Sequence, residues 1–125
     1  VASEEKDTHR TFHPNGTIAS EWTAVDGKLE GLCRVWYDNG QLTGEASFRN
    51  GVSEGAVREW SRDGHLTLDA YVVEGEYSGQ YRRWWDDGTP ECDGVMVQGK
   101  RQDGFIEYNE DGTIRRVRGA ASGGL

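Results

Sequence analysis

Chemistry in a protein needs particular side chains at particular spacings, and in this 125-residue chain the candidates are few. The histidines are His9, His13 and His65. On an extended strand His9 and His13 would stand about 13 Å apart, too far to share one ion. Asp86-Asp87-Gly88 superficially resembles a calcium loop, but the alternating Asp-x-Asx-x-Asx-Gly spacing is absent and a tight turn explains it. Neither a Gly-x-Ser-x-Gly elbow nor a Gly-x-x-x-x-Gly-Lys phosphate loop occurs. Asn15-Gly16-Thr17 fits a glycosylation sequon, yet it too reads as a turn. Carboxylates are plentiful, but they are spread too evenly to single out a catalytic pair. The expectation is no enzyme, no metal site and no cofactor.

Composition narrows the class. There are 22 acidic against 14 basic residues, a net charge of −8, which disfavours nucleic acid or an anionic membrane as partner and favours a basic one. Val, Leu, Ile and Phe are scarce enough at this charge to suggest disorder, but five Trp and five Tyr argue against it. Eighteen Gly with only two Pro imply many tight turns and little helix. No apolar run is long enough for a spanning helix.

The organising feature is a period of 24. Gly16, Gly40, Gly64, Gly88 and Gly112 recur at that step, each preceded by Asn or Asp. Gly27, Gly51, Gly75 and Gly99 form a second series, and Gly31, Gly55 and Gly79 a third that arrives one residue late at Gly104. Phe12, Trp36, Trp60, Trp84 and Tyr108 keep the same phase. Fixed self-similarity of this kind marks a repeat architecture. Short segments between Gly-containing turns predict an all-β fold: an elongated, single-layer antiparallel meander of about five hairpin repeats, roughly ten strands. The repeats span residues 8–118, with tails over 1–7 and 119–125.

Parity assigns the faces. A three-residue loop ending in a left-handed Gly keeps Trp36 and Leu42 on one side, so that turn is expected at each Asx-Gly. The even face would then hold a core of the aromatic ladder against Ile18, Trp22, Leu42, Ala46, Phe48, Leu66, Leu68, Ala70, Val72 and Met96. Arg10, Arg34, Arg58 and Arg82 would share that face, either stacking on Trp rings or gripping an acidic ligand. The odd face would be polar, with an acid ladder at Glu21, Glu45, Asp69 and Asp93. Around repeat three the odd positions turn apolar at Tyr71, Val73, Tyr81, Arg83, Trp85, Val95 and Val97. Such a patch is either a partner surface or is covered by a twisting sheet. Repeat four departs from the pattern, with Pro90 and Gly94 where apolar strand residues are expected, which predicts local irregularity. Cys33 and Cys92 lie about two and a half repeats, roughly 24 Å, apart in such a sheet, so no bridge between them is expected.

The recurring units Pro14-Asn15-Gly16, Trp36-Tyr37-Asp38-Asn39-Gly40 and Trp60-Ser61-Arg62-Asp63-Gly64, with their successors, resemble the MORN-variant repeat family, including bacterial YwqK-like antitoxins. The resemblance covers about Thr8 to Arg118 and implies an elongated twisted sheet that binds rather than catalyses. An immunity or antitoxin role against a basic toxin is one reading, with Tyr71, Tyr81, Arg83, Trp85, Glu45, Asp69 and Asp93 as contact residues. The alternative is an envelope or scaffold protein organising other chains or contacting lipid or glycan. With Val1 rather than Met first, the compartment is open: cytoplasmic for an antitoxin, periplasmic or envelope if a leader preceded Val1.

Overall fold

The structure, a computed structural model, describes residues 5–119. Residues 1–4 of the expected tail over 1–7 and residues 120–125 of that over 119–125 fall outside the described residues. Twelve strands form: β1 (Lys6–Phe12), β2 (Ile18–Val25), β3 (Lys28–Leu29), β4 (Gly31–Trp36), β5 (Leu42–Arg49), β6 (Val52–Trp60), β7 (Leu66–Val73), β8 (Glu76–Trp84), β9 (Pro90–Val97), β10 (Lys100–Arg101), β11 (Ile106–Tyr108) and β12 (Ile114–Val117). They make one antiparallel sheet in the order β1-β2-β4-β5-β6-β7-β8-β9-β11-β12, with β3 and β10 as short extensions pairing β2 and β9. The meander of ten successive strands is the predicted one. Its first strand starts at Lys6, so Lys6 and Asp7 belong to the sheet and not to a tail.

Two kinds of turn alternate. At the Asx-Gly end, Tyr37 N–H bonds the Gln41 carbonyl at 2.8 Å and Gly40 N–H bonds the Tyr37 carbonyl at 3.1 Å, leaving a three-residue loop that ends in Gly40 at φ +86°. Trp36 consequently faces Leu42, as parity required. At the other end two-residue loops hold both residues at positive φ, for example Asn50 at +52° and Gly51 at +85°. Primed turns of this kind match the right-handed twist of the strands they join.

The expected faces do not survive. Each Asx-Gly hairpin carries a bulge one step from the loop: Trp36 pairs Leu42, but Val35 pairs Gly44, Arg34 pairs Glu45 and Cys33 pairs Ala46. An extra residue in one strand shifts parity between partners. Leu42 therefore stays with Trp36, while Ala46 and Phe48 lie on the opposite face, and the arginine and acid series, expected on different faces, share one. The same shift recurs at Trp60/Leu66 and Trp84/Pro90.

The core lies on the face away from the Trp ladder. Leu68, Ala70, Val72, Cys92, Met96 and Phe105 are buried. Of the expected core Leu68, Ala70, Val72 and Met96 are in it, whereas Leu42 and Leu66 stay on the other side with Trp36, Trp60 and Trp84, which are half-buried there. In a single-layer sheet these residues must be covered by long side chains of their own face. Tyr77 and Tyr81 pack against the Cys92, Met96 and Phe105 cluster. Repeat four is the closing device: a Cβ on Gly94 would stand 2.7 Å from Phe105 Cγ, so that ring lies directly on the glycine, 1% exposed. Arg101 covers it at 4.5 Å from the ring centroid.

Candidate functional site

Along one face runs a line of alternating charge. Within hairpins Arg10 faces Glu21, Arg34 faces Glu45, Arg58 faces Asp69 and Arg82 faces Asp93. Between hairpins Glu21 faces Arg34, Glu45 faces Arg58 and Asp69 faces Arg82. The guanidinium Nε donates to the carboxylate at 2.7, 3.3 and 3.4 Å in the first three hairpins, and Arg82 Nε ion-pairs with Asp93 at 3.5 Å in the fourth. Four positive and four negative charges thus form one ladder across eight strands, and Ile106 ends it opposite Asp93. Glu45, Asp69 and Asp93, expected as contacts for a basic partner, are each already paired.

Beside the ladder, on its own face, lies an exposed apolar strip. Tyr71 faces Ala56, and Val95 faces Gln80, one step along from the charges. Val52, Val73 and Val97 follow one step further, facing Arg49, Glu76 and Lys100. Tyr71 is 49% exposed and the four valines are exposed too. Glu74 and Glu76 edge the strip at the turn beyond it. Glu54 is engaged there, accepting the Glu74 N–H at 2.7 Å.

The predicted patch is therefore divided. Tyr71, Val73, Val95 and Val97 come together on the ladder face. Tyr81 and Arg83 sit on the opposite face, facing Ala70 and Leu68. Tyr81 lies 5.0 Å from Tyr77, edge to face, and 6.1 Å from Phe105, and its hydroxyl accepts a bond from Arg83 Nε at 3.2 Å. They are covering groups of the core. Trp85 belongs to neither face but to the Asx-Gly turn, where its indole N–H is buried without a hydrogen-bond partner. Burial pushes the Cys33 and Cys92 thiols above their ordinary value, so neither is an activated nucleophile. Both are free, on β4 and β9.

Sequence reasoning missed two features. The ladder was signalled by a constant offset, since each arginine precedes its acid by the same step in all four hairpins, but only the bulge reveals that the offset means contact. Phe105 was signalled by the displaced Gly104 together with Gly94, two irregularities that are one packing solution.

A comparison with curated proteins finds no match. Residues 29–50, the hairpin of β4 and β5 with the start of its flanking turn, match the family model described as MORN repeat variant.

Proposed function

We propose that this chain is a non-catalytic protein-binding repeat module that engages its partner through the ladder face over β6–β9. The observation that carries the reading is the exposed strip of Val52, Tyr71, Val73, Val95 and Val97, gathered on one face beside the charge ladder. Apolar strips of this kind, bordered by charge and anchored by Tyr, are partner surfaces. The finer reading is immunity or antitoxin action against a basic toxin. Attraction then comes from the acids along the turns and from the net charge of −8, because the ladder acids are neutralised in place. The same charge disfavours nucleic acid and anionic lipid.

The test is capture from native lysate on immobilised protein, wild type beside Tyr71→Ser/Val95→Ser, at low and high salt. One basic protein held by wild type, lost by the variant and weakened by salt is the expected result. Identical capture by both forms would remove the strip as the site. The rival reading, an envelope or scaffold repeat protein, draws on the outer edges of β1 and β12, which no other strand pairs among the described residues. It predicts capture that survives the strip variant and salt alike.

A further inference from the structure

Two turns on the Asx-Gly edge of the sheet, Tyr37-Asp38 and Trp85-Asp86, open on an aromatic residue followed by an acid, and at the first the chain fills the site with its own arginine. Tyr37 and Asp38 open the turn between β4 and β5, and Arg62, one period on from Asp38, reaches back to ion-pair with that carboxylate. Its guanidinium stands over the Tyr37 ring, 5.8 Å from the centroid. An aromatic face plus a carboxylate is a well-matched receptor for a guanidinium, which is weakly hydrated, planar and able to donate sideways while it stacks.

Two periods further the equivalents of Tyr37, Asp38 and Arg62 are Trp85, Asp86 and Glu110. The turn backbone is the same: Trp85 N–H bonds the Thr89 carbonyl at 2.8 Å, and Gly88 N–H bonds the Trp85 carbonyl at 2.9 Å. Here the arginine is replaced by an acid. Trp85, Asp86, Asp87, Thr89 and Glu110 line an open pocket of about 320 Å³. Among the described residues no Lys or Arg pairs with Asp86, Asp87 or Glu110, whereas the sister site is occupied. The Thr89 hydroxyl and backbone N–H hold the Asp87 carboxyl below its ordinary value and keep it ionised.

The Trp85 indole N–H is a donor that a guanidinium, itself a donor only, does not satisfy, so it serves as a reporter of the pocket and not as part of the receptor. At the corresponding position His13 Nε2 donates to the Trp36 carbonyl at 2.8 Å and the Tyr37 hydroxyl to the Trp60 carbonyl at 2.9 Å, but Trp85 finds no acceptor. We infer that the Trp85, Asp86 and Glu110 pocket receives an arginine side chain presented by a basic protein partner, in the place that Arg62 occupies two repeats earlier. This rests on the binding-module reading and sharpens it: the partner lies along β7–β9 and hooks one arginine over the turn edge.

The test uses the full chain labelled with ¹⁵N and a capped Gly-Arg-Gly peptide as probe, with Gly-Lys-Gly as control, reading the Trp85 indole resonance as assigned by its loss in Trp85→Phe. A saturable shift for the arginine peptide, weaker for the lysine peptide and abolished by Asp86→Asn/Glu110→Gln, is expected. Glu110→Arg supplies the missing group from within, as Arg62 does, so it should move the indole resonance without ligand and weaken peptide binding about tenfold or more while the fold stands. Non-saturating shifts, equal response to both peptides, or unchanged binding in Glu110→Arg would overturn the assignment. Shifts that grow with protein concentration alone would seat a second copy's arginine there and overturn the foreign partner. Lysate capture lost in the strip variant but kept in Glu110→Arg would sink the pocket alone. Peptide binding with no strip-dependent capture would leave the pocket and sink the face.

Discussion

Gly94 shows how one missing side chain organises the end of the core. Its Cβ would stand 2.7 Å from Phe105 Cγ, closer still to the ring edge, and 2.8 Å from Phe105 Cα, distances that real Cβ atoms do not adopt. Gly94→Ala should therefore destabilise the fold by about 1–3 kcal/mol through overpacking, read as a lower denaturant midpoint at unchanged slope. An equal midpoint would mean that Phe105 moves freely. Glu107 poses the opposite case, a carboxylate 18% exposed among Arg101, Arg115 and Arg116. The hydrogen bond from Arg115, helped by Arg116 and Arg101, holds its carboxyl below the ordinary 4.5 despite burial. A depressed folded-state value means stability present above about pH 4.5 and lost as pH falls through the lower, folded value. Urea unfolding across pH 3–6 should show that loss, and Glu107→Gln should flatten it. An unchanged profile in the variant would assign the acid sensitivity elsewhere.

At the scale of the element, the bulge beside each Asx-Gly turn decides which residues meet. Without it the acids would stand on the face opposite the arginines, and each series would lie alone. With it they interleave, and every interior member of the ladder has an opposite charge on both sides. Exposed pairs are worth about 0.2–1 kcal/mol each, so Arg58→Ala/Asp69→Ala should show a coupling in that range that shrinks in high salt. Arg58→Glu is the sharper probe, because it sets three acids in a row at Glu45, position 58 and Asp69. It should cost more than Arg58→Ala, and equal costs would show that the ladder is a row of neighbours without energetic weight. The hairpins, the loop length and the phase of the glycines were legible in the sequence because each depends on local backbone geometry. The bulge was not, since it lies in how two strands register after the turn has closed.

Across the whole molecule, stability is distributed unevenly along a quasi-one-dimensional sheet whose repeats contact only their neighbours. All seven residues of β1 are exposed, whereas β7 and β9 hold most of the buried side chains, between the covering Tyr77 and Tyr81 of β8. Hydrogen exchange should accordingly be slowest in β7, β8 and β9 and fastest in β1. Uniform protection would show a single cooperative unit instead. The gradient also bears on binding: the strip and the turn pocket both border the most rigid strands, so a partner meets a surface that is already ordered.

Period, meander topology and turn type follow from the amino-acid order alone, because glycines at a fixed step and alternating side chains constrain φ and ψ locally wherever the chain goes. The division of Tyr71 from Tyr81, the neutralisation of Glu45, Asp69 and Asp93, and the seating of Phe105 on Gly94 needed the folded sheet. Each turns on which side of a strand a residue faces after a bulge, and one inserted residue reverses that side for everything beyond it.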